Sequence, residues 1–169
     1  MNKQDIALDR IRSALQLYKF DSNPYGHPVA PHMTADELHA SVGCGLFAAR
    51  VITEIFPREC GGLAFGSLTY FGLFGLSWFI NEFPMDYFHT KSRLVGLFGD
   101  NSGNAILMPL NSIDGSDLFL YDHEPPFDYE ADYRLICPQF DGDVADIFTR
   151  QAADTDWSMF MDIRSKGSD

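Results

Sequence analysis

The feature that most constrains this chain runs from residue 94 to residue 130: LVGLFGDNSGNAILMPLNSIDGSDLFLYDHEPPFDYE. Apolar runs alternate there with acidic, glycine-bearing turns. GDNSGN and IDGS are hairpin-type turns, in which glycine accepts a positive φ that β-branched residues resist. The runs between them read as strands at 93–98, 104–110 and 117–121. Further strand candidates fall at 63–71, 73–80 and 133–137, punctuated by Asn81 and Pro84.

Helical spacing flanks the strand series. Leu8, Ile11, Leu15 and Tyr18 recur at steps of three, four and three, so 5–18 predicts an amphipathic helix. The loop DSNPYGHPVAPH, with three prolines, cannot continue it. Thr34 and Glu37 then have capping-box spacing, and Leu38, Val42, Leu46, Ala49, Val51 and Ile52 carry a second helix towards Pro57. Gly43 and Gly45 weaken its middle. In FDGDVADIF, the residues Phe140, Val144, Ile147 and Phe148 share one face, with Asp141 placed to cap. The tail beyond them is expected to dock through Trp157 and Phe160. Helices, then strands, then a helix define an α+β domain. The 169 residues fit a single domain spanning 1–169, and 46% hydrophobic content supports a real core.

The formal net charge is -12. Such a chain repels phosphate backbones and anionic lipid, which argues against direct nucleic-acid or membrane binding and points to a basic partner. General solubility would explain the same balance. Residues 63–80 carry no charge over eighteen positions, the lower edge of a bilayer span. Acidic neighbours Glu59, Glu82 and Asp86, and glycines 66, 72 and 75, argue instead for buried strands with a turn. Cys44, Cys60 and Cys137 lack paired spacing and read as reduced, mostly buried thiols. With a polar start, MNKQDIALDR, this predicts a cytoplasmic protein without a secretory signal.

The residues offer little for catalysis. His123 lies between Asp122 and Glu124, but neighbours on a strand face opposite ways. Asp122 and Glu124 could pair as acid and base, yet no nucleophile motif accompanies them, and a solvated strand end is the simpler reading. DNSGN departs from a calcium loop at Ala105 and Asn111. His27, His32 and His39 have no zinc-like spacing, and no glycine-rich phosphate loop is present. We expect no catalytic residues, no metal and no cofactor.

What stands out is negative charge. Eleven acids lie between Asp100 and Asp146, against one base, Arg134. Tyrosines are interleaved with them. Acids that steer encounter and aromatics that anchor it suit a protein interface. A solvated sheet rim with buried tyrosines is the alternative. The interface reading takes Asp114, Asp117, Asp122, Glu124, Asp128, Tyr129, Glu130 and Asp132 as partner-binding residues.

LFGDNSGNAILMPLN, followed by DLFLYDHE and by FDGDVADIF, resembles the SUKH superfamily over about residues 94 to 150. The upstream IFPRECGGLAF keeps Pro57 and Gly61–Gly62 of the family pattern but shortens the interval and lacks its Asn. The resemblance implies a SUKH-like α+β fold with a central, mainly antiparallel β-sheet packed by helices, structural turn glycines at Gly99 and Gly103, and no catalytic role. It also implies an immunity protein of a toxin–antitoxin kind, which neutralises a cognate toxin by binding it. On the residues' charge that toxin would be basic, such as a nuclease whose phosphate groove accepts carboxylates. Two alternatives stand beside it: a small enzyme or ligand-binding domain with an apolar cleft near 63–83 around Trp78, and an intracellular scaffold or regulatory module. Exposed Phe residues could support a homodimer.

Overall fold

The computed structural model describes residues 2–16, 21–22, 33–55, 63–65, 68–70, 93–100, 104–121 and 132–152. In chain order these form α1 (Lys3–Leu15), β1 (Asp21–Ser22), α2 (Ala35–Val42), α3 (Leu46–Glu54), β2 (Leu63–Phe65) and β3 (Leu68–Tyr70). There follow β4 (Leu94–Asp100), β5 (Ala105–Pro109), β6 (Phe119–Tyr121), α4 (Tyr133–Ile136) and α5 (Val144–Ala152). The strands form one sheet in sequence order, β1 to β6, and every pairing is antiparallel. The α+β class follows.

The sheet is apolar on both faces where its side chains are described. Along β5, Ile106 and Met108 point to one core and Ala105 and Leu107 to the other. Along β6, Leu120 joins the first core and Phe119 and Tyr121 the second. That period of two is why these strands read as unbroken apolar runs. In β4 the register shifts between Gly96 and Phe98, a bulge that turns consecutive Leu97 and Phe98 into the same core.

The larger core lies under α1, α2, α3 and α5. Leu8 and Ile11 of α1, Phe47 and Val51 of α3, and Val144, Ile147 and Phe148 of α5 close on Val95, Phe98 and Ile106. Phe98 and Phe148 meet edge to face, with ring centroids 5.2 Å apart, and both are fully buried. The smaller core is roofed by α4, where Tyr133 packs edge-on against Phe119 at 4.9 Å. Burial pushes the Cys137 thiol beneath it up to about 12.

Three expectations are corrected. The helix foreseen from Thr34 to Pro57 is two helices. The Thr34–Glu37 capping box forms as expected, but Gly43 takes a left-handed C-cap conformation and ends α2. The amide of Gly45 donates to the Leu110 carbonyl, and Arg93 donates to the Gly43 carbonyl, so the break is held from the sheet side. The single strand foreseen at 63–71 is a hairpin, with Phe65 opposite Leu68.

The strand foreseen at 133–137 is a short helix. Its N-terminus is capped by Asp132, which accepts from the Arg134 amide. The place beside β6 is taken by the next few residues: Leu120 N donates to Pro138 O, and Phe140 N donates to Leu118 O. The strand foreseen at 73–80 and the docking of Trp157 and Phe160 lie outside the described residues.

Truncating Phe148 removes both its own burial and the edge contact to Phe98. Phe148→Ala is expected to cost about 3–5 kcal/mol in denaturant unfolding. Leu135→Ser, at a position 83% exposed, should stay within about 0.5 kcal/mol. Equal, small losses for the two would contradict this core.

Candidate functional site

Five of the described acids, Asp114, Asp117, Asp141, Asp143 and Asp146, lie in or just after two Asp-Gly turns that approach one another. The first, Asp114-Gly115-Ser116-Asp117, joins β5 to β6; the second, Asp141-Gly142-Asp143, leads into α5. In the first turn the Asp114 carboxylate accepts from both the amide and the hydroxyl of Ser116, at 3.2 and 2.7 Å. Asp117 accepts from the hydroxyl of buried Ser112, which itself accepts from the Gly115 amide at 3.1 Å.

Gly115 is the hinge of this geometry. Its φ is +73°, and a Cβ there would stand 3.0 Å from the Phe47 ring and 3.1 Å from Val144 Cγ2. Only a glycine lets the turn lie this close to α3 and α5. The second turn repeats the pattern, with Gly142 also at positive φ beside Asp146.

Asp143 and Asp146 cap α5 reciprocally: Asp143 Oδ1 accepts from the Asp146 amide at 3.1 Å, and Asp146 Oδ2 from the Asp143 amide at 2.9 Å. This corrects the expected cap, Asp141, by two residues. Asp141 instead lines an open cleft of about 520 Å³ together with Ser116, Gln139, Gly142, Asp143 and Asp146. Arg10 reaches over from α1 and pairs with Asp143 and, at 3.0 Å, with Asp146.

Electrostatics follow from this packing. Burial raises the Asp143 carboxyl above its ordinary value, the Asp146 carboxylate raises it further, and backbone amides and Arg10 pull it back. Ion pairs hold most other described arginines as well. Arg12 pairs with Asp9 and Glu54, Arg50 with Asp5 and Glu54, and Arg134 with Asp132 at 3.6 Å while lying over the Tyr133 ring.

Of the residues expected to bind a partner, Asp114 and Asp117 share one turn, and Ser116 between them opens on the cleft. Asp132 belongs to the cap of α4. Asp122, Glu124, Asp128, Tyr129 and Glu130 lie outside the described residues, as does His123. The apolar cleft considered near 63–83 also falls outside them, apart from the backbones of β2 and β3. Sequence reasoning passed over the joint role of Asp141, Asp143 and Asp146, although the recurrence of Asp-Gly before a further acid in SIDGSD and FDGD was a usable signal.

Among the described residues, no helix is long and apolar enough to cross a membrane. Comparison with protein-family models, with curated proteins and with solved structures gives no match.

The raised Asp143 carboxyl gives a pH signature. Between the unfolded and the folded pKa the native state holds more protons than the unfolded chain, so this group's contribution to stability falls as pH rises through that window. In a carboxyl NMR titration Asp143 should titrate above an ordinary aspartate. Arg10→Gln should move its midpoint further up, because a favourable cation is removed. A midpoint that drops in the variant would contradict the geometry.

Proposed function

We propose that this chain is a binding protein of the SUKH-like immunity type, which neutralises a basic toxin by docking on an acidic face. The observation that carries this reading is the convergence of two Asp-Gly turns on one cleft. Asp141, Asp143 and Asp146 line it, the turn bearing Asp114 and Asp117 abuts it, and among the described residues Arg10 is the cation paired there.

Hydrogen bonds to Ser112, Ser116 and the α5 amides orient the carboxylates. They fix where the charges stand. A nuclease groove built to receive phosphates can also receive an array of carboxylates. The anionic surface on offer is narrower than the bare count of acids implies, since Asp132 pairs with Arg134, and Asp143 and Asp146 pair with Arg10. Asp114 and Asp117, held by serine hydroxyls, keep the steering role, which the acids from Asp122 to Glu130 would extend.

The α+β architecture agrees with a SUKH-like fold at the level of class, and the antiparallel sheet with helices over its larger core agrees with what that resemblance implies. The reaction is binding alone. No step of bond making is assigned.

The test is kinetic. Against the protein product of the adjacent open reading frame, the association rate should fall on the order of tenfold between low and high salt, as steering is screened. Reversing Asp122 and Glu124 together to Lys should slow association while leaving the circular dichroism spectrum intact. A rate indifferent to salt would remove electrostatic capture from the account.

A further inference from the structure

Aspartate followed by glycine occurs twice in the chain, at Asp114-Gly115 and at Asp141-Gly142. Glycine presents a backbone nitrogen that no side chain shields. That nitrogen can attack the carboxyl carbon of the aspartate before it. The fold treats the two pairs differently.

At Asp114-Gly115 both reacting groups are engaged. The Gly115 amide donates to the hydroxyl of Ser112 at 3.1 Å, and that serine is 2% exposed. The Asp114 carboxylate accepts from the amide and the hydroxyl of Ser116. Gly115 is buried against Phe47 and Val144, so the turn cannot swing without disturbing the larger core. Attack would first require breaking a buried hydrogen bond and leaving its donor unsatisfied.

At Asp141-Gly142 the surroundings are open. Asp141 is exposed and Gly142 half-buried, and both line the cleft of about 520 Å³. Among the described residues no hydrogen bond holds the Gly142 amide. The next amide, that of Asp143, donates to Asp146 at 2.9 Å, so the engaged part of the α5 cap begins one residue later.

We propose that Asp141 is a site of spontaneous isoaspartate formation in the folded protein, and that the hydrogen bonds of Ser112 and Ser116 protect Asp114 from the same reaction. The Gly142 nitrogen bonds to Asp141 Cγ, a carboxyl oxygen leaves as water, and a succinimide ring closes. Water then opens the ring at one of its two carbonyls. Opening at Cγ restores aspartate. Opening at the main-chain carbonyl leaves the chain running through Cβ and Cγ, with the carboxylate now on Cα. One water leaves and one returns, so the sequence balances without an oxidant or a reductant. The product carries an extra methylene in the main chain between Phe140, whose amide donates to Leu118, and Asp143, which caps α5. The carboxylate that Asp141 brings to the cleft is thereby moved.

The experiment incubates the full chain for weeks in neutral buffer at body temperature, both folded and in denaturant. Isoaspartate is located by peptide mapping and by enzymatic methylation of the modified residue. In denaturant the two pairs should react at similar rates. In the folded chain Asp141 should react about tenfold faster than Asp114, the retardation that opening one buried hydrogen bond supplies. Ser112→Ala should remove most of that difference by raising the rate at Asp114 alone. Asp141→Glu keeps the charge but would have to close a larger ring, and should lose the signal from its peptide.

Equal rates in the folded chain, or a faster rate at Asp114, would overturn the proposal. So would an Asp141 that stays intact in the folded chain while the denatured chain modifies it. Should Ser112→Ala fail to fold, as judged by circular dichroism, Ser116→Ala decides. It removes the hydroxyl that holds the Asp114 carboxylate at an exposed position, and a rate at Asp114 unchanged from the parent counts against the protection.

Discussion

The structure depends on one constraint: β4, β5 and β6 are apolar on both faces, so neither face can be left to water. Each buried aliphatic or aromatic side chain contributes roughly 1.5–3 kcal/mol relative to exposure, and the described strands place such side chains on two sides. Helices α1, α2, α3 and α5 cover one face, and α4 with Cys137 covers part of the other. The Phe98–Phe148 contact at the centre of the larger face fixes where α5 lies, and with it the turn that begins α5.

That dependence links packing to the acidic cleft. The β5–β6 turn must approach α3 and α5 closely because Leu118 and Leu120 on one side, and Phe140 and Val144 on the other, belong to the same core. Gly115 makes the approach sterically possible, and Ser112 anchors the turn from within by serving both Asp117 and the Gly115 amide. The carboxylates are held by the hydrophobic layer beneath them. Their charge is the surface expression of a packing solution.

Much of the fold is legible in the sequence where local chemistry and global packing agree. The Thr34–Glu37 capping box, the α1 stripe through Leu8 and Ile11, and the α5 face shared by Val144, Ile147 and Phe148 all rest on local spacing, and all appear, while Phe140 joins the same core from ahead of the helix. The misses have a common cause. Residues 133–137 carry strand-like side chains, but their neighbours 138–140 hold the edge beside β6, and Asp132 favours a helical start. The break at Gly43–Gly45 is held by Leu110 and Arg93, which no local pattern announces. The cleft was half legible. Its acids were visible as a dense run, but the partnership of turn 114–117 with turn 141–146 spans separate strands and is set by tertiary packing alone. The role of Arg10 had no local signal at all.

The central claim is that these two acidic turns stand side by side. A spin label at Ser116→Cys, in a chain with Cys60→Ser, reads this directly through the backbone amide signals of a labelled sample. The account predicts strong paramagnetic broadening at Asp141 to Asp146, and much weaker effects at α2. Amides of residues 141 to 146 that keep their full intensity would place the turns apart and contradict it.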